Sequence, residues 1–125
     1  IIGVEPELAN DAQLSLQQGK LVALPIEQTK QTAADGMRAT QLGDITYRYI
    51  REYVDDIITV NEREIRAAVR SLALDSRLVA EPSGAVPVAA LLNRRDELPA
   101  AKKIVAVISG GNIDPQLLAD ILQGA

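Results

Sequence analysis

The run Ile104-Val105-Ala106-Val107-Ile108-Ser109-Gly110-Gly111-Asn112 places an alcohol, two glycines and an amide directly after five apolar residues, four of them β-branched. Such a run predicts a buried strand. In open α/β sheets, ligands sit beyond the carboxyl ends of strands, so Ser109 is a candidate ligand contact; its hydroxyl also fits a simple cap on the strand end. In Glu81-Pro82-Ser83-Gly84-Ala85 a carboxylate enters a helix of small residues, where Gly84 and Ala85 would let a flat ligand or another helix approach the backbone. Burying Glu81 is costly unless it is paired. It serves equally well as a helix-start charge favoured by the macrodipole, and spacing does not choose between the two. Glu5 ends an apolar run and Asp11 falls in the first turns of the next helix. With the carbonyl of Ala9 they offer hard oxygens to Mg²⁺ or Ca²⁺, with waters completing the shell; two acids at a helix start also suit ordinary capping. Asp35-Gly36 reads locally as a surface turn.

The elements that must position these groups alternate between strand-like and helix-like patterns. Ile1 to Glu5 predicts a strand closed by Pro6. Leu8, Ala12 and Leu16 recur at helical spacing before Gly19, a candidate C-cap. Leu21 to Leu24 predicts a short strand, Glu27 to Ala39 a loop, and Asp44 to Val54 a helix with Ile45, Tyr49 and Tyr53 on one face. Asp56 to Val60 predicts a buried strand. Asn61 with Glu64 forms a capping box that opens a helix, whose apolar stripe is Ile65, Ala68, Val69, Leu72 and Ala73. Ser83 to Leu92 is apolar nearly all round, as a buried helix should be. Ile104 to Ile108 is the last strand, followed by a helix with Asp114 at the N-cap and Pro115 at its first position. The fold class expected is therefore α/β, an open, mainly parallel sheet with helices on both faces.

Composition sets limits. The hydrophobic fraction, 47%, supplies a real core, while aromatics are 2%, all of them Tyr, so aliphatic residues and alanine must fill the interior. A net charge of −4 and the scarcity of stacking side chains argue against nucleic acid. Arg94-Arg95 and Lys102-Lys103 read as solvated charges at a helix end and a loop. With no Cys and no His, disulfides, thiolate or imidazole metal sites and any His-based triad are excluded. No stretch is long enough to span a membrane and no signal peptide is visible, so a cytoplasmic protein is expected. The chain opens inside a strand, which predicts a fragment.

Taken together, Gly3-Val4-Glu5-Pro6 with Ala9-Asn10-Asp11, Ala34-Asp35-Gly36, Val54-Asp55-Asp56-Ile57, Glu81-Pro82-Ser83-Gly84-Ala85 and Ile108-Ser109-Gly110-Gly111-Asn112-Ile113-Asp114 resemble the pyridoxal-phosphate enzymes of the serine/threonine dehydratase and serine racemase family, with the tryptophan-synthase-β-like fold. The matches occur in family order over essentially the whole chain. The resemblance implies that Ser109 donates its hydroxyl to the pyridine nitrogen of pyridoxal 5'-phosphate (PLP), that Gly36 and Glu81 line the ring, and that Gly110, Gly111 and Asn112 shape that end of the pocket. It implies a divalent-cation site at Glu5, Ala9 and Asp11. Arg77 stands where racemase relatives carry a lysine near a nucleotide site. A neutral hydroxyl leaves the ring a weaker electron sink than a charged partner does, which suits elimination of a β-hydroxyl.

The family's Schiff-base lysine motif, glycine-rich phosphate loop and catalytic serine are not in this chain, whose lysines are Lys20, Lys30, Lys102 and Lys103. Residues 1–125 therefore resemble the C-terminal portion of the large domain. The activity implied is L-threonine/L-serine ammonia-lyase, giving a 2-oxo acid and ammonia from an amino-acid substrate, in a homodimer or homotetramer, with the chain inactive by itself. The alternatives are serine racemase, a hydroxyaspartate or ectoine-pathway dehydratase, and a non-catalytic α/β interaction module.

Overall fold

The computed structural model describes residues 1–124. Its only ladder among the described residues pairs β1 (Ile2–Pro6) with β2 (Asp56–Val60) in parallel. The connection between them runs through α1 (Asp11–Gln18), α2 (Ile26–Thr29) and α3 (Asp44–Tyr53); α4 (Glu62–Asp75), α5 (Pro82–Asn93) and α6 (Pro115–Gln123) follow β2. The architecture is a mixed α/β fold built on a parallel sheet, as expected.

The core lies where α4 and α5 pack against each other and against the strands. Val60, Ile65, Ala68, Val69, Ala85 and Ala89 are fully buried, with Ile121 closing the cluster from α6. Small residues on α5 allow that helix to lie close to its neighbours, and the absence of bulky aromatics is met by close backbone approach rather than by large side chains.

The end signals in the sequence are realised. Asn61 Oδ1 accepts from the Glu64 amide at 3.0 Å while Glu64 Oε2 accepts from the Asn61 amide at 2.8 Å, a complete capping box. Asp114 Oδ1 accepts from the amides of Gln116 and Leu117, both at 2.9 Å. Gly19 caps α1 in the left-handed region at φ 67°. In α4, Ile65, Ala68, Val69 and Leu72 are buried, while Ala73 is half-buried.

Four expectations are corrected. Leu21 to Leu24 is not a strand; it is tied locally, the Val22 amide to Ser15 Oγ at 2.9 Å and the Leu24 amide to the Thr40 carbonyl at 2.8 Å. The 27–39 loop holds α2 and a 3-10 turn at Asp35–Met37. It is fixed by Arg38, whose Nη2 donates to the Thr32 carbonyl at 2.6 Å, and by Glu62, which accepts from the Ala33 amide at 2.7 Å. The expected helix is present as α3 and its Ile45, Tyr49 and Tyr53 do share one face, which points to solvent with the two tyrosine rings stacked at 6.0 Å. Tyr47 is the buried one, its hydroxyl donating to the Ser15 carbonyl at 3.2 Å. Arg94 is no free surface charge: its guanidinium meets Glu64 at 3.0 Å, Glu7 at 3.1 Å and Glu97 at 3.4 Å. Finally, Ile104 to Ile108 is not a buried strand. The segment carries no ladder, and Val105 is 87% exposed. A strand is completed only by a neighbour's edge, and the described residues offer this segment none.

Among the described non-glycine residues Arg77 alone has a positive φ, 59°, with its guanidinium donating back to the Leu74 carbonyl. A side chain in that region is disfavoured by about 1 kcal/mol. Arg77→Gly is therefore expected to raise stability by up to about 1 kcal/mol, less the added freedom of the unfolded chain, read as a rise in the urea midpoint at constant slope. No helix among the described residues is long and apolar enough to cross a membrane.

Candidate functional site

Three of the segments selected from the sequence meet at the start of α5. Pro82 occupies the first turn of the helix, where its missing amide costs nothing, and Glu81 precedes it in extended conformation without a side-chain cap of its own. The Glu81 amide donates to the Gly110 carbonyl at 3.1 Å. One residue into the helix, Ser83 Oγ accepts from the Gly36 amide at 3.0 Å. The helix start is thus pinned on one side to the 35–37 turn and on the other to the loop that follows Ile108.

The approach on the Gly110 side is closer than any side chain permits. A Cβ on Gly84 would lie 2.7 Å from the Gly110 carbonyl oxygen and 2.8 Å from its nitrogen. A Cβ on Gly110 would lie 2.3 Å from Glu81 Oε1, and one on Gly111 2.6 Å from the Val79 carbonyl oxygen. The glycines at 84 and 111 are required by backbone-on-backbone packing, whereas a methyl at 110 would meet only the Glu81 side chain, whose carboxylate end can swing aside. The glycines do not themselves form an open cradle; they hold the loop so that its neighbours Ser109 and Asn112 stand exposed beside it. Gly36 is likewise exposed and Glu81 is half-buried.

The structure therefore brings together Gly36, Glu81 and Gly110, and it places Ser109 and Asn112 on the two flanks of the Gly110-Gly111 pair. Ser109 makes no hydrogen bond among the described residues, so its hydroxyl is free to donate. Ser83 lies within a motif that the sequence singles out, yet nothing in that motif gives it a role. Only the fold shows that it joins α5 to the Gly36 turn.

The carboxylates at Glu5 and Asp11 form a separate feature at the carboxyl end of β1. Glu5 caps α1: Oε2 accepts from the Gln13 amide at 2.8 Å and Oε1 from the Ala12 amide at 3.2 Å. Burial pushes the Glu5 carboxyl up to about 7, opposed by those two amides and reinforced by the nearby Asp11 charge. Burial also raises Asp11, and Asp11 Oδ2 is buried with no hydrogen-bond partner among the described residues. A buried acceptor without a donor is where a cation would be favoured. The capping alternative thus holds for Glu5, while Asp11 retains an oxygen that the protein does not satisfy. Ala9, buried between them in sequence, is 1% exposed. No group of three or more His, Cys, Asp or Glu side chains among the described residues could hold a metal, so a cation here would rest on two carboxylates, a carbonyl and water.

Beyond both features, Arg94 bridges Glu64 of the α4 capping box to Glu7 just after β1. Its hydrogen bond to Glu64 raises the guanidinium further above its ordinary range.

Residues 1–110 match the family model described as "Pyridoxal-phosphate dependent enzyme". The chain is 39% identical over 124 residues to the L-threo-3-hydroxyaspartate ammonia-lyase of Saccharomyces cerevisiae, covering 99% of this chain and 37% of that protein. It is 42% identical over 123 residues to the L-threonine ammonia-lyase of Geobacter sulfurreducens, covering 98% of this chain and 30% of that protein. Among solved structures, maize serine racemase superposes with a TM-score of 0.85 at 34% identity, over 99% of this chain and 38% of that one. The T.th. threonine deaminase superposes with a TM-score of 0.82 at 42% identity, over 90% of this chain and 39% of that one. The chain spans roughly a third of the length of these relatives. Its motifs, its fold and these likenesses agree: the chain belongs to the family of pyridoxal-phosphate-dependent enzymes.

Proposed function

We propose that these residues form the part of an L-threonine/L-serine ammonia-lyase that receives the pyridine-nitrogen end of PLP. The observation that carries this reading is Ser109: an exposed hydroxyl with no partner among the described residues, set beside a loop that Gly84 and Glu81 hold from below. The chemistry of the donor fits. A hydroxyl gives one hydrogen bond to a ring nitrogen without imposing a charge on it. When bound, PLP supplies the electron sink for loss of the α-proton and β-hydroxyl, giving a 2-oxo acid and ammonia. The residues of this chain orient and shield: Ser109 fixes the ring edge, Gly36 and Glu81 line it, and Gly110 and Asn112 shape the rim. The lysine and phosphate anchor required for turnover would come from outside these residues, so the chain alone is expected to be inactive.

Glu5, Asp11 and the Ala9 carbonyl would hold Mg²⁺ or Ca²⁺ in the same reading. The ion would satisfy Asp11 Oδ2 and allow both raised carboxyls to ionise together. A homodimeric or homotetrameric, cytoplasmic enzyme completes the picture. Saturation with either cation to about a hundred times its Kd is expected to stabilise the protein by about 2.7 kcal/mol. Asp11→Asn should lose that gain, as followed by thermal melting; an unchanged gain in the variant would remove the site.

The activity is tested by substituting this chain for its matched segment in the Geobacter sulfurreducens enzyme. The chimera is expected to bind PLP and to release 2-oxo acid and ammonia from L-threonine or L-serine. Ser109→Ala should lower turnover by about tenfold, the scale of one lost hydrogen bond. Full activity in Ser109→Ala, or D-serine as the main product from L-serine, would overturn the reading.

A further inference from the structure

We propose that Ser83 is a positioning residue: through its hydrogen bond to the Gly36 amide, its hydroxyl sets the width of the slot between the 35–37 turn and the 109–111 loop. That slot would hold the PLP ring, so this role rests on the cofactor reading. Both walls are fastened to the first turn of α5, Gly36 through Ser83 and Gly110 through Glu81.

The two walls are held by unlike means. On the 109–111 side the hold is main chain on main chain. The Glu81 amide donates to the Gly110 carbonyl at 3.1 Å, and a Cβ on Gly84 would fall 2.7 Å from the same oxygen. Little there can give. On the other side, Ala34 is fully buried and Met37 packs against the core, so the ends of the turn are anchored, while Gly36 between them is exposed. Its amide is shared between Asp35 Oδ1 at 2.9 Å and Ser83 Oγ at 3.0 Å. The bond to Asp35 travels with the turn and fixes nothing outside it. The bond to Ser83 is the only one among the described residues that ties residues 35–37 to α5.

Ser83 is also the spacer. A Cβ on Gly36 would meet Ser83 Oγ at 3.1 Å and Ser83 Cβ at 3.4 Å, so the hydroxyl fills the interval between turn and helix. Its oxygen makes no other hydrogen bond among the described residues. Removing it strands no donor, because Asp35 still accepts from the Gly36 amide. It opens no enclosed cavity, because Ser83 is half-buried. The fold therefore loses little, while the Gly36 wall loses its tie to the helix. A hydroxyl in this setting governs placement rather than folding.

The chimera that carries this chain in the Geobacter sulfurreducens enzyme separates the two. Ser83→Ala is expected to lower its melting temperature by no more than about 2 °C. In the cofactor-free chimera, amide exchange in a peptide spanning 35–37 should quicken about tenfold. With PLP saturating, the visible circular dichroism of the bound cofactor should change, and turnover of L-threonine should fall about fivefold with KM held within about twofold. Ser83→Thr and Ser83→Val add the same methyl and differ in the hydroxyl. The threonine variant should therefore restore the parent's exchange, dichroism and turnover, and the valine variant should follow Ser83→Ala. Threonine and valine variants that melt with the parent yet behave alike would overturn this role. So would unaltered exchange and dichroism in Ser83→Ala, with the cofactor reading left standing. A melting temperature lowered by about 10 °C in Ser83→Ala would make the hydroxyl a support of the fold and overturn it as well. A parent chimera that binds no PLP would instead sink the proposed function, and the role of Ser83 with it.

Discussion

Gly84→Ala is expected to cost about 3 kcal/mol of stability, the upper end of what overpacking a well-filled site exacts, and to weaken PLP binding by the chimeric enzyme at least about tenfold. The added methyl would fall 2.7 Å from the Gly110 carbonyl oxygen, and its neighbour is backbone, which cannot rotate aside. Relief requires moving the 109–111 loop away from α5, which lengthens the Glu81 to Gly110 hydrogen bond and displaces Ser109. Gly43→Ala is the control: its φ is −73° and the nearest atom to a new Cβ is Thr46 Oγ1 at 4.0 Å, so its effect should stay within about 0.5 kcal/mol. Equal urea midpoints for the two variants would show that the close approach carries no weight.

Ile65→Ala is expected to cost about 4 kcal/mol, within the range for emptying a buried aliphatic site. Ile65 is 0% exposed and sits among Val60, Val69 and Val86 in the core cluster. That loss is comparable to the whole stability of a marginal domain, so the variant should show sharply reduced soluble yield and a much lower urea midpoint. Ile45→Ala removes the same atoms from a side chain that is 71% exposed and should change stability by less than about 0.5 kcal/mol. If the two isoleucines cost the same, the core assignment is wrong.

That pair of isoleucines marks the boundary between what could be read in the sequence and what could not. Both fall on helices with apolar residues at regular spacing. Periodicity reports that a face is apolar; it does not report whether anything lies against it. For α4 the partner is α5 and the buried stripe is real. For the Ile45 face of α3 the described residues offer no cover, and Tyr49 and Tyr53 stack on each other in solvent, while Tyr47 on another face is buried against α1. The segment at 104–108 shows the same limit for strands. Its β-branched run is legible, but a strand's identity lies in its neighbours' hydrogen bonds, and these are not in its own letters.

The candidate site divides in the same way. Its residue types and their order along the chain were legible, because a glycine pair after an apolar run and a carboxylate before a small-residue helix are local patterns. Ser83, which joins the Gly36 turn to α5 across 47 positions, had no local signal at all. The same holds for Arg94, whose carboxylate partners Glu7 and Glu64 lie 87 and 30 positions away.

By itself the sequence determined where α4 and α6 begin, because the caps Asn61 with Glu64 and Asp114 are satisfied within a single turn. It also determined the α/β class and, through ordered motifs, the family. Tertiary structure alone decided which apolar faces are covered, that Glu5 spends its oxygens on α1 while Asp11 keeps one unsatisfied, and that Gly84, Gly110 and Glu81 meet. The physical reason is distance along the chain: a cap or a period closes over a few residues, whereas burial and close backbone contact depend on segments brought together from far apart.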